Sequence, residues 1–157
     1  MFTSQINKNR AIFWIVFLGL TLRITNIDAM PPYIDEMLHI NDSTDYSVTS
    51  PGSRFFIGKY FTILLFKPIK LIANDPLYAS RILVFLFSSV TIFYLYKIGK
   101  LISTYSVGLL AALFYAISPC AVFFDRQALT DPIITTLIVT SNYCLLKSVK
   151  IKTDMKS

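Results

Sequence analysis

Acidic residues are scarce in this sequence, nine against fifteen lysines and arginines in 157 residues, which leaves a formal charge of +6. Charged residues of both signs reach only 15%, where an ordinary soluble domain carries about 25%. Glycine occurs five times, and no glycine-rich phosphate loop, HExxH or GxSxG motif is present. These absences count against nucleotide-binding folds, zinc proteases and serine hydrolases. The two cysteines, Cys120 and Cys144, have no CxxC spacing. On the spans assigned below they lie roughly 20 Å or more apart, so neither a disulfide nor a zinc site is expected. The basic residues sit at the ends of apolar runs instead of along one polar face, which argues against nucleic acid as a partner.

Apolar residues, by contrast, are abundant: 54% of the chain is hydrophobic and 15% aromatic, with a mean hydropathy of +0.58. Four runs are expected to cross a bilayer, at residues 11–27, 77–102, 105–124 and 129–146. The first follows Lys8 and Arg10, lacks a small-x-small cleavage site and reads as an uncleaved anchor. The third reaches spanning length only if it continues across Pro119. Lys97 and Lys100 lie between the second and third runs, and Lys147, Lys150, Lys152 and Lys156 follow the fourth. With four spans these three basic groups fall on one side, which the positive-inside rule makes cytoplasmic. Eight of the nine acids then face outward, Asp154 being the exception.

The expected fold is therefore all-α, a polytopic membrane domain over residues 1–147 with both termini cytoplasmic and a basic tail at 148–157. An outer loop occupies 28–53, with one short helix near Asp35 to Asn41. Residues 54–73 carry an apolar core at 60–66 flanked by Lys59 and Lys67. That core is too short to span, and its basic, aromatic character fits a juxtamembrane amphipathic helix on the outer face.

The candidate chemistry lies at the outer edge. Asp35 and Glu36 are adjacent carboxylates behind the stiff Pro31-Pro32 pair. One reading makes them a general base plus a residue that binds substrate, metal or an arginine; the other makes them a solvated loop. His39 stands four residues after Asp35, as a ligand, a proton shuttle or an interfacial hydrogen-bonding residue. Asp131 before Pro132 reads as a helix N-cap, which can coexist with an anion site beside Arg126. Arg81, just inside the second run, needs a partner: a carboxylate such as Asp35, a lipid phosphate or a carbonyl. A divalent cation, if present, would fall to Asp35 and Asp131.

The stretch from Arg81 to Leu146 has an Arg-led second span, a GLLAAL third span followed by proline, and an aromatic-x-Arg-x-x-Leu-x-Asp approach to the fourth. Together with the first span and the DE pair, this order resembles the type C membrane glycosyltransferases. Within them it is most similar to the protein O-mannosyltransferase and lipid A aminoarabinose transferase group, over residues 10–147. The resemblance implies transfer of a sugar from a polyprenyl-phosphate carrier to a glycan, lipid or protein acceptor at the outer face of the plasma membrane. It assigns Asp35 as general base, Glu36 as its assistant, Asp131 as completing the acidic site, and Arg81 or Arg126 as stabilising the departing phosphate. Such enzymes have more spans, so the chain would correspond to their N-terminal portion. The competing expectation is a non-catalytic four-span protein serving as an assembly or lipid-binding subunit.

Overall fold

The computed structural model describes residues 2–42 and 59–154, with side chains for 10–41 and 59–152. The remainder of the expected outer loop, the start of the juxtamembrane helix and the last three tail residues lie outside the described residues. Among the described residues seven helices follow in order: α1 Phe2–Ile24, α2 Ile34–Asp42, α3 Tyr60–Ile72, α4 Pro76–Ile102, α5 Tyr105–Ile117, α6 Pro119–Phe124 and α7 Thr130–Asp154. No strand occurs among the described residues. Two helices, Pro76–Ile102 and Thr130–Lys152, are long and apolar enough to cross a bilayer, and Tyr105–Ile117 is a shorter apolar helix. With the apolar α1, these make the chain an all-helical membrane protein.

Helix α4 is the axis of the bundle. Asp75 caps it by accepting from the Tyr78 amide at 3.0 Å, and Pro76 occupies the first turn, where a missing N–H costs nothing. Its 27 residues extend for about 40 Å. At the Lys97 end it packs with α1 and α5 around Ile12, Ile92, Tyr96, Ala112 and Ala116. At the Arg81 end a second cluster joins Ile40 of α2, Phe66 of α3, Val84 of α4, and Ala128 and Ile133 around the start of α7. A hydroxyl pair, Thr91 and Thr136 at 2.7 Å, ties α4 to α7 between them.

The α4–α5 hairpin is set by glycine. A β-carbon on Gly108 would lie 2.5 Å from the Tyr96 carbonyl oxygen, and one on Gly99 would lie 2.7 Å from the Gly108 α-carbon. Only hydrogen fits at this crossing. Small residues play this part in membrane bundles because close backbone approach maximises van der Waals contact.

The stretch expected as the third span, 105–124, is built of two helices, α5 and α6. Proline disfavours helical geometry in the residue before it, and Ser118 adopts an extended ψ of 120°. Ser118 then caps α6 by accepting from the Ala121 amide at 3.5 Å. The carbonyls of Tyr115 and Ala116 at the end of α5 are released from the helical ladder and need other donors.

Helix α3 runs through Pro68, sacrificing one backbone hydrogen bond there. Its 13 residues reach only about 20 Å. It buries Thr62, Ile63 and Phe66 against the bundle and leaves Tyr60, Phe61, Leu64 and Leu71 exposed. Helix α7 begins one residue earlier than the Asp131-Pro132 pair suggests, so Asp131 sits inside the first turn instead of at the cap. Proline is tolerated there because the first four N–H groups have no intrahelical acceptor.

Candidate functional site

Helix α2 starts directly after the Pro31-Pro32 stretch, and Glu36 secures that start. Its Oε2 accepts from the Tyr33 amide at 2.8 Å, the return half of a capping box. The same carboxylate meets Arg81 of α4 through a two-pronged contact, Nε to Oε1 at 2.8 Å and Nη2 to Oε2 at 2.7 Å. A fourth bond comes from the Ala128 amide to Oε1 at 2.6 Å. Arg81 spends its remaining N–H groups on the carbonyls of Ile27 at 2.7 Å, Met30 at 3.0 Å and Pro31 at 3.4 Å. All five of its donors, and the four acceptor positions of Glu36, are thereby used.

Both side chains are buried, at 2% and 0% exposure. Burial alone pushes the Glu36 carboxyl up. The hydrogen bonds from Arg81, Tyr33 and Ala128, with the charge of Arg81, more than offset this and leave it below the usual carboxylate range.

A second pair lies beside the first. Arg23, at the end of α1, donates to Asp125 Oδ2 from Nε at 2.9 Å and from Nη2 at 2.8 Å. Its other donors reach the carbonyls of Gly19 at 3.0 Å, Ala116 at 2.9 Å and Tyr115 at 3.4 Å. The last two are the carbonyls freed by the break at Ser118. The Tyr115 hydroxyl completes the group by donating to Asp125 Oδ1 at 3.3 Å. Burial pushes the Asp125 carboxyl up, and the charge and hydrogen bonds of Arg23 offset only part of that.

Arg126 closes the same end of the bundle. Its Nη2 donates to the carbonyls of Thr25 and Asn26, both at 2.6 Å. Asn26 holds the left-handed conformation, φ 52°, that ends α1. Two buried polar atoms in this turn, Arg126 Nε and Gln127 Oε1, have no hydrogen-bond partner among the described residues.

The sequence candidates therefore separate. Glu36 and Arg81 meet, and they form a closed structural clamp. Arg81 has no donor left for a lipid phosphate, and its carboxylate partner is Glu36, where the sequence suggested Asp35. His39 is fully buried, with Nδ1 3.3 Å from the Ala128 carbonyl and Nε2 3.5 Å from the Thr130 hydroxyl. The buried face of α2 is thus Glu36, His39 and Ile40, a helical spacing of three and four. Asp35, next to this face, is half-buried.

Asp131 is exposed and lines a cleft of about 350 Å³ with Tyr115, Cys120, Asp125 and Thr135. Among the described residues no three His, Cys, Asp or Glu side chains gather as metal ligands. The Arg23–Asp125 pair was not foreseen. Its signal was present, since an arginine at the end of an apolar run requires a polar partner, of which a carboxylate is one.

An all-helical membrane bundle with arginine–carboxylate pairs packed at one end defines the class. Within it, the chain belongs to the dolichyl-phosphate-mannose-protein mannosyltransferase family, whose sequence profile matches residues 59–156. This bears out the resemblance to the type C glycosyltransferases. The matched stretch contains Arg81, Arg126 and Asp131; Asp35, Glu36 and His39 precede it. Searches for similar curated proteins and similar solved structures found no match.

Proposed function

We propose that this chain forms part of a membrane glycosyltransferase that moves a mannosyl-type hexose from a polyprenyl-phosphate carrier to an acceptor hydroxyl on the outer face. Asp35 acts as general base. The acceptor oxygen attacks the anomeric carbon while the bond from that carbon to the phosphate oxygen breaks. Asp35 takes the hydroxyl proton, the sugar inverts, and polyprenyl phosphate leaves. Negative charge grows on that phosphate, and Arg126, whose Nε has no acceptor among the described residues, is the arginine suited to meet it.

One observation carries the reading beyond the family match: the two adjacent carboxylates have unlike surroundings. Glu36 is sealed by four donors, whereas Asp35 stands beside it half-buried. Locking the neighbour on α4 and on the approach to α7 orients the short helix, so Asp35 is held in one geometry at modest entropic cost.

The test is Asp35→Asn in membranes containing the protein, with radiolabelled mannosyl polyprenyl phosphate as donor. Loss of a general base should lower the rate by about 10²–10⁴ while the protein still inserts. Wild-type turnover in this variant would remove Asp35 from the mechanism.

The accompanying topology is four crossings with both termini cytoplasmic. It is supported by the separation along α4 of the Arg81 end from Lys97 and Lys100. In a Cys120→Ser, Cys144→Ser background, Asp28→Cys should react with an impermeant maleimide outside intact cells and Lys152→Cys should not. The reverse pattern would invert the orientation.

A further inference from the structure

A sizeable cavity among the described residues lies at the opposite end of α4 from Arg81. It is a groove of about 810 Å³ between α1 and α4, lined by Phe13, Val90, Phe93, Tyr94, Lys97 and Lys100 among others. That volume falls in the range of small-molecule sites. Along α4, Lys97 is sixteen residues beyond Arg81, or about 24 Å away, so the groove is remote from the clamped carboxylates.

Two features of the groove point to a ligand. Its walls are aromatic and aliphatic, with Phe13, Val90 and Phe93 all exposed. Its mouth is cationic: the Lys97 ammonium lies 5.0 Å from the Phe93 ring centroid, and that of Lys100 lies 5.9 Å from the Tyr96 ring centroid. No acid lines the groove. Indeed none occurs between residues 1 and 27 or between 76 and 124. Lys150 of α7 reaches the Leu101 carbonyl at 3.4 Å, which brings further positive charge to this end.

We propose that the groove binds an anionic phospholipid from the leaflet opposite Asp35. Its headgroup phosphate sits between Lys97 and Lys100, and an acyl chain lies along Phe13, Val90 and Phe93. Charge complementarity selects this occupant. A zwitterionic lipid would set its own cationic group against two ammonium groups with no carboxylate among the lining residues to receive it. Anionic lipids also concentrate at the basic face of a membrane protein.

Trp14 provides a direct readout. It is the sole tryptophan, and its ring meets that of Phe13 with centroids 5.7 Å apart. The protein is reconstituted in phosphatidylcholine vesicles in which a small share of the lipid has brominated acyl chains, on either phosphatidylglycerol or phosphatidylcholine. Brominated phosphatidylglycerol should quench Trp14 several-fold more strongly than brominated phosphatidylcholine at the same share. The variant K97Q/K100Q should make the two equal, while K147Q/K152Q, changed on α7 away from the groove, should keep the preference. Equal quenching in the wild-type protein would overturn the proposal, and so would a preference that survives K97Q/K100Q. If K147Q/K152Q loses the preference as fully as K97Q/K100Q, the attraction is diffuse surface charge and the groove site is refuted.

Discussion

Glu36 and Arg81 are 45 residues apart in sequence, yet their side chains are joined by parallel hydrogen bonds of 2.8 and 2.7 Å. This contact links the part of the chain that precedes the family match to the part within it. Breaking one partner of such a buried pair leaves an uncompensated charge, at a cost of about 3–5 kcal/mol. Arg81→Met should therefore destabilise the protein by roughly that much in a reversible detergent unfolding assay. The double variant Glu36→Met, Arg81→Met should recover much of the loss, because no lone charge remains. A double variant no more stable than Arg81→Met would show that the carbonyl contacts of Arg81, and not its charge partner, dominate.

Acid should weaken this clamp in a defined direction. The folded-state pKa of Glu36 lies below its ordinary value of 4.5. Its contribution is therefore fully present above that value and is lost as pH falls through it toward the folded pKa. Asp125, shifted upward, works in the opposite sense, but its effect cancels when wild type is compared with Glu36→Gln. The melting-temperature difference between those two proteins should be largest near neutral pH and narrow as pH falls below 4.5. A constant difference down to the acid limit would contradict the assignment.

The glycines of the bundle should differ in their tolerance of alanine. At Gly108 the nearest atoms to an added methyl are backbone, the Tyr96 carbonyl oxygen at 2.5 Å and the Lys100 nitrogen at 3.0 Å. Helices α4 and α5 would have to part, at about 1–3 kcal/mol or more. At Gly19 the closest atom is the terminal carbon of Ile92, also at 2.5 Å, which a rotamer change can move. Gly108→Ala should lower the melting temperature clearly more than Gly19→Ala, and equal effects would argue against a glycine-set hairpin.

Arg126 has both a structural and a proposed catalytic part, and kinetics can separate them. Arg126→Ala removes two charged hydrogen bonds from the end of α1 and should cost about 1–3 kcal/mol. Arg126→Lys keeps the charge without the planar fork. If Arg126 meets the departing phosphate, the lysine variant should keep more of the turnover than the alanine variant at matched stability. Identical turnover in all three proteins would leave Arg126 with its carbonyl contacts alone.

Much of the fold was legible because apolar run length and flanking charge are properties of the chain itself. The long apolar helix around Arg81 is of this kind. The break at Ser118 was less legible: hydropathy continues across Pro119, and the local rule for the residue before proline had to prevail over it. In the site, Arg81 announced its need for a carboxylate, but adjacency in sequence could not say which of Asp35 and Glu36 would supply it. Helical phase decided, since Glu36 shares its buried face with His39 and Ile40. The partnership of Arg23 with Asp125 depends on packing between α1 and the α6–α7 turn, which no local pattern encodes.

The interruption ahead of Pro119 has a consequence for how this protein can change over time. By ending α5 early it exposes two carbonyls, at Tyr115 and Ala116, that Arg23 now occupies. A helix-forming residue in place of the proline would let α5 close on itself and take two of the arginine's acceptors, leaving it only Asp125 and the Gly19 carbonyl. Positions 23 and 119, on separate helices, should therefore vary together among descendants of this chain, each constraining what the other is free to become.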